Sequence, residues 1–265
     1  MSSSGFYTWL SRPPQETDND ELDVITLFNK SKGKLGILRL KMSFERLRKK
    51  KINHKKVRRI KREFSLVTQV RKKSKFRAVF RSGEESKVAA NIVQRQFNPE
   101  AGVIVLSTDI TQLTYSYGQK AYLSAVKDLR TKEIVTYSLS RHPTVELAIG
   151  KLQEALSGHP KEIRKRIIIH SDQGGQYCSP QYLAILERLE VTASMSRKGN
   201  CLDNAPIESF FGHFKDEADY EHCRNFQELS NCVRKYMKYY NNNRPQWGLK
   251  QRTPAEAGVN KSLVF

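Results

Sequence analysis

Three acidic residues stand where carboxylates can do chemistry. Asp109 ends an apolar run in Ser107-Thr-Asp-Ile-Thr, and Asp172 directly follows the most apolar run of the chain, in His170-Ser-Asp-Gln-Gly-Gly-Gln-Tyr. Glu208 lies early in a helical pattern whose start is marked by Asp203, Asn204 and Pro206. Ligand sites in open α/β sheets favour strand ends. Hard divalent ions take oxygen ligands, and two Mg²⁺ or Mn²⁺ ions about 4 Å apart can activate an attacking hydroxyl and stabilise a leaving oxygen at one phosphorus. Three carboxylates from two strands and a helix suit that task. Each also has an ordinary reading: Asp109 a strand-end acid, Asp172 the start of an Asp-Gln-Gly turn, Glu208 a first-turn acid favoured by the helix dipole. With 27 acidic residues in the chain, spacing alone is weak.

The elements that must position these groups follow from residue 101 onward. Val103 to Ile110, Lys120 to Asp128 and Glu133 to Leu139 read as three strands joined by short polar connections. A helix over Thr144 to Leu156, a strand over Arg166 to His170, a helix over Pro180 to Leu189 and a strand over Val191 to Met195 follow. Two helices, about Ala205 to Tyr220 and Phe226 to Asn241, end the pattern. This order predicts an α/β fold, a mixed sheet with helices on its faces. On the helix carrying Glu208, Ile207, Phe210 or Phe211, Phe214 and Ala218 form the apolar stripe, leaving Glu208, Gly212 and Lys215 on an adjoining face. His170 reads as a packing or supporting residue before a ligand.

Charge divides the chain differently. The 265 residues hold 47 Lys and Arg against 27 Asp and Glu, a net charge of +20, and residues 31–80 alone carry 20 basic residues against two acidic. Within that block, residues 38–47 space apolar residues as an amphipathic helix does, and Lys49-Lys-Lys-Ile-Asn-His reads as a turn. Asn53 can cap a second helix, His54 to Phe64, with Val57, Ile60 and Phe64 inward and Lys55, Lys56, Arg58, Arg59, Lys61 and Arg62 over the rest. Two short helices around a polar turn are the skeleton of a helix-turn-helix. Charge runs usually mark only a solvated face, but this density needs a polyanion, and phosphate backbones supply one. The expected organisation is a basic helix-turn-helix-like region over 1–66, a basic linker over 67–100 and a catalytic core over 101–265.

Other classes recede. The apolar runs are strand-sized, far short of the roughly 20 residues of a membrane helix. No basic start followed by an apolar stretch points to export, so a cytoplasmic location is expected, with no membrane partner. Cys178, Cys201, Cys223 and Cys232 have no disulfide or paired zinc spacing, and His213 and His222 do not complete one.

The words around the carboxylates carry more weight than their spacing. Thr108-Asp-Ile-Thr, His170-Ser-Asp-Gln-Gly with Gln176-Tyr177, Ser196-Arg-Lys-Gly-Asn-Cys-Leu-Asp-Asn-Ala-Pro-Ile-Glu-Ser-Phe-Phe with Lys215, and Tyr239-Tyr-Asn-Asn-Asn-Arg-Pro-Gln-Trp-Gly-Leu with Thr253-Pro254 stand in that order. Together they resemble the insertion-sequence transposases that share the retroviral integrase catalytic core. The 35 residues between Asp172 and Glu208 match the interval of the family's Asp, Asp, Glu pattern, and residues 2–12 resemble the opening of its second-reading-frame product. The resemblance implies a ribonuclease H-like core and two divalent ions, Mg²⁺ or Mn²⁺, on Asp109, Asp172 and Glu208. It also implies cutting of element ends and joining of the freed 3′ hydroxyl to another phosphodiester. Lys215 matches a lysine expected to grip DNA near the cut; Lys198, Arg197 and Arg244 are further DNA-contact candidates, although Arg244 with Trp247 can instead lock the last helix to the core. Implied partners are element ends, target DNA, a second copy of the chain and an upstream first-frame product. The family's Tyr-Gly-x-Arg-Arg group is Leu35-Gly36-Ile37-Leu38-Arg39 here, and its Arg-Pro-His is Arg244-Pro245-Gln246. Two competing readings use the same residues: a DNA-binding protein without catalysis, and a metal-dependent nuclease on the same fold.

Overall fold

A computed structural model describes residues 19–69, 88–100, 102–197 and 199–259. They divide between two compact units, one within residues 1–72 and one within 73–265.

In the first unit, α1 (Asn19–Lys30), α2 (Ile37–Arg48) and α3 (His54–Glu63) enclose Val24, Phe28, Leu40, Phe44, Val57 and Ile60. The α3 start is set as expected: the Asn53 side chain accepts the Lys55 N–H at 2.9 Å. The turn between α2 and α3 is pinned from α2, where Lys41 Nζ donates to the Ile52 carbonyl at 2.8 Å and Glu45 accepts the Ile52 N–H at 3.1 Å. Helix α1 is an addition to the expected pair. Its acids lie against the basic hairpin: Asp20 meets Lys50 and Lys56, Asp23 meets Arg48, and Glu21 meets Arg59. Part of the positive charge is thus offset within the unit itself.

The second unit is built on a five-stranded sheet in the order β3-β2-β1-β4-β5, from β1 (Ile104–Tyr115), β2 (Gln119–Asp128), β3 (Ile134–Ser140), β4 (Ile167–Ser171) and β5 (Thr192–Met195). The first three form an antiparallel meander, while β4 and β5 join parallel to β1 and to each other. Strand β1 runs five residues past its expected end, because Leu113 and Tyr115 alternate inward with Gln112 and Thr114 outward. The side chains of β1 separate by parity. Leu113 and Tyr115, with Leu123 and Ala125 of β2, pack under α6 (Ala205–Glu217) and α7 (Phe226–Asn242) through Ile207, Phe210, Phe214, Val233, Tyr236 and Tyr240. Ile104 and Leu106, with Ile167 and Ile169, pack under α4 (Val145–Ser157) and α5 (Pro180–Arg188). Three layers result, with the sheet between helix pairs. A short helix α8 (Pro254–Val259) follows α7. The outer edge of β3 is closed at its first residue by a side chain: Asn241 Oδ1 accepts the Ile134 N–H at 3.0 Å and its Nδ2 donates to the Ile134 carbonyl at 2.9 Å.

Residues 88–97, expected within a linker, lie on the sheet of the second unit. Val93 is buried with Val105 and Leu129, and the Ile92 N–H donates to Ser194 Oγ at 3.0 Å. Among the described residues, no helix is long and apolar enough to cross a membrane.

Candidate active site

Strand register delivers the two aspartates. Parallel pairing sets Ser107 opposite His170, so Asp109 and Asp172, each two residues further on, come level. Asp109 lies midway along β1 and not at a strand end as expected, because β1 continues to Tyr115, while Asp172 directly follows β4. By parity both lie on the face that α6 covers. Helix α6 turns Ile207, Phe210, Phe211 and Phe214 inward, which leaves Glu208 exposed in its first turn and Lys215 two turns further along.

The electrostatics place the acids in one neighbourhood. Burial first, then the charges of Asp172 and Glu208, push the Asp109 carboxyl up to about 8, against the pull of the Ile110 N–H at 2.7 Å and of Lys215. Burial raises Asp172 as well, opposed by the Gly174 N–H on its Oδ1 at 2.9 Å. A Cβ at Gly174 would stand 2.9 Å from that same carboxylate oxygen, so a larger residue there would displace the Asp172 carboxylate. Tyr177 is buried in the core under α4 and α5, its hydroxyl 3.4 Å from that of Thr108. Among the described residues, no three His, Cys, Asp or Glu side chains, these three acids included, are gathered closely enough to hold a metal ion.

The segment that brings Glu208 to the strands is held by three of them. Ser107 of β1 donates to Asn204 Oδ1 at 2.7 Å, His170 of β4 donates from Nε2 to the Asp203 carbonyl at 2.9 Å, and Lys127 of β2 donates from Nζ to the Pro206 carbonyl at 2.8 Å. All three sheet residues are buried. The carbonyl partner fixes the His170 tautomer: Nε2 carries the proton and Nδ1 accepts from Ser194 Oγ at 3.0 Å. Burial lowers the His170 pKa and keeps the ring neutral. The far end of α6 is bolted too, where Glu217 receives a fork from Arg244 at 2.8 and 3.0 Å and the Tyr236 hydroxyl at 3.1 Å. The helix carrying Glu208 is therefore fixed at both ends by buried polar contacts.

Several expected site residues are engaged elsewhere. Asp203 and Asn204 do not cap α6; their side chains serve Arg95, Arg197 and Ser107. Arg197 forks onto Asp203, and Arg244 is 5% exposed against Glu217 and the Tyr240 ring, acting as the lock of the last helix. Trp247, paired with it in that expectation, is 55% exposed. Lys198 lies outside the described residues. In the first unit, Lys55, Arg58 and Arg62 are exposed at positions i, i+3 and i+7 of α3, whereas Lys56 and Arg59 meet acids of α1. Missed by the sequence reading were Ser107 and Lys127, which have no motif of their own and act through strand register, and Arg95, which reaches Asp203 from the segment before β1.

Comparison with known proteins agrees with this geometry. Residues 102–201 and 189–254 match profiles described as "Integrase core domain", and residues 15–74 match one described as "HTH-like domain". InsK, the transposase named for insertion sequence element IS150 of Escherichia coli strain K12, is 36% identical over 249 residues, covering 93% of this chain and 85% of its own. A transposase-like protein of Haemophilus influenzae is 38% identical over 214 residues, covering 80% and 96%. Among solved structures, a simian T-cell lymphotropic virus intasome superposes with a TM-score of 0.52 at 15% identity, covering 91% of this chain and 76% of that one; this likeness concerns the fold. Carboxylates level on adjacent strands, a helix bolted across them, a basic three-helix unit and these relatives converge: the chain belongs to the insertion-sequence transposases of second-reading-frame type, with an integrase-like, ribonuclease H-like catalytic core.

Proposed function

We propose that the chain cuts DNA at the ends of its element and joins the freed 3′ hydroxyl to a target phosphodiester, with Asp109, Asp172 and Glu208 as its catalytic carboxylates. The observation that carries this reading is the Asp109 carboxyl, raised to about 8 because burial and the charges of Asp172 and Glu208 outweigh the opposing pull of the Ile110 N–H and Lys215. Divalent cations answer that imbalance, and an all-oxygen donor set fits Mg²⁺ or Mn²⁺. Two such ions on Asp109, Asp172 and Glu208 would supply charge neutralisation at the scissile phosphate and an acidified hydroxyl. The protein's own part is placement. Register sets the two aspartates level, Gly174 orients Asp172, and the bonds from Ser107, His170 and Lys127 fix the approach of Glu208. Lys215, on the same face of α6, supplies a cation for a DNA phosphate. Lys55, Arg58 and Arg62 offer a second row of phosphate contacts on α3. One active site per element end calls for at least two copies on DNA, and the first-frame product is a further partner.

Labelled duplexes carrying the DNA that flanks this gene, with Mg²⁺ or Mn²⁺, test the proposal. Wild type should cut and join, and Glu208→Gln should do neither. Cutting without joining would instead favour a nuclease, and binding without either reaction, even with the first-frame product added, a non-catalytic DNA-binding protein. Sedimentation of the joined complex should find two or more chains; a single chain per pair of ends would refute the assembly.

A further inference from the structure

Asp203 is fully buried, yet its carboxylate receives five N–H donors. Arg95 Nε at 2.6 Å and Arg197 Nη2 at 2.9 Å meet Oδ1; Asn91 Nδ2 at 3.1 Å, Arg197 Nε at 2.8 Å and the Arg197 backbone N–H at 3.2 Å meet Oδ2. A carboxylate offers about four lone-pair sites. The forked Arg197, its own N–H and the Asn91 amide already satisfy it, so the second guanidinium is surplus to pairing. One carboxylate with two guanidiniums leaves the cluster one net positive charge, and both arginine side chains reach solvent, 41% exposed at Arg95 and 61% at Arg197. Arg95 commits only its Nε to Asp203.

The backbone is bent to make this arrangement. Gln94 and Arg95 both adopt left-handed conformations, φ +44° and +65°, held by the Gln94 N–H on Asn91 Oδ1 at 2.9 Å and by buried Val93. Consecutive strained residues that aim a charged side chain are a mark of functional sites. The cluster also stands at the carboxylate end of the sheet, since the Asp203 carbonyl is the partner of His170, two residues before Asp172.

We propose that Arg95 and Arg197, splayed on Asp203, form a preorganised binding site for a phosphate of the nucleic-acid backbone. The proposal rests on the reading above that the chain acts on DNA, and adds a contact outside the three acids and Lys215. A planar guanidinium forks onto a phosphate as it does onto a carboxylate, and Asp203 holds both rotamers before the ligand arrives. Arg197 and Arg95 keep the Asp203 carboxyl well below the usual carboxylate range, so the anchor stays charged.

The test measures binding of the full chain, without divalent ions, to two duplexes across a salt series: one with the DNA flanking this gene, one of unrelated sequence. Arg95→Gln should weaken binding several-fold and lower the slope of log affinity against log salt by about 0.9, and Arg95→Gln with Arg197→Gln by about twice that. Circular dichroism confirms which variants are folded, and Arg197→Gln alone replaces the first if Arg95→Gln does not fold. A lowered slope on the flanking duplex alone assigns the site to element ends, and on both duplexes to any DNA backbone; either supports the proposal. Wild-type binding and joining with variant slopes equal to wild type on both duplexes overturns it and leaves the proposed function standing. Wild type that binds neither duplex overturns both.

Discussion

Replacing Lys127 with methionine separates the stability of the sheet from the placement of Glu208. Lys127 is 5% exposed, and burial, then Lys132 and Arg244, lower its ammonium from 10.5 to about 7. Between those values the unfolded chain binds the proton that the folded chain releases, so wild-type stability rises with pH from about 7 toward 10.5. The slope approaches about 1.4 kcal/mol per pH unit, and integrated over the window the depressed value costs the fold about 4 kcal/mol at pH 7. Methionine fills a similar volume and never ionises, while it gives up one buried hydrogen bond to the Pro206 carbonyl, about 1.5 kcal/mol. Lys127→Met should therefore be more stable than wild type by roughly 2–3 kcal/mol at pH 7, with the advantage falling to zero near pH ~9.5. Urea titrations of both proteins at pH 7, 8 and 9 measure this. Strand joining should move the other way, down about tenfold or more, because the α6 start loses its tie to β2. A stability difference that does not change with pH, or a wild type more stable at pH 7, would refute the reasoning.

Further outcomes follow from the same contacts. Gly174→Ala should drive Asp172 off its position and cut joining by about a hundredfold while the protein stays folded, measured by joining assays beside thermal melts. Asp109, at about 8 when folded against 3.8 as a free side chain, favours the ion-free fold most at low pH, and that contribution is lost as pH rises through 8. Mg²⁺ or Mn²⁺ should accordingly raise the melting temperature more at pH 8 than at pH 6, a chelator should reverse the gain, and Asp109→Asn should flatten the pH dependence. Arg244→Ala strips the guanidinium fork from buried Glu217 and should cost about 3 kcal/mol in urea denaturation, whereas replacing both partners with leucine should recover much of it.

How much of this was readable in the residues depends on how local each signal is. The five strands and the helices that cover them announce themselves through periods of two and of 3.6, and Asn53 caps α3 because a cap acts within two residues. Helix α1 was hidden by composition: only Val24 and Phe28 of its apolar residues are fully inward, and its acids read as a polar tail until the basic residues they meet are known. Asp109, Asp172 and Glu208 could be named because motifs surround them. Their support could not. Ser107 resembles any strand serine, and only the pairing of β1 with β4 sets it beside His170 so that both reach the turn before Glu208. Asp203 and Asn204 look like helix caps in sequence, yet distant residues claim their side chains.

Asn241 and Arg244 make the residues at and just after the end of α7 part of what completes the core. A chain released before residue 241 would still contain Asp109, Asp172, Glu208 and Lys215, every group proposed for chemistry. It would lack the amide that stops the outer edge of β3 and the guanidinium that neutralises Glu217. An open strand edge invites pairing with other chains, and a buried carboxylate deprived of its guanidinium fork undermines the helix that carries it. Such fragments should aggregate or be proteolysed more readily than the full chain.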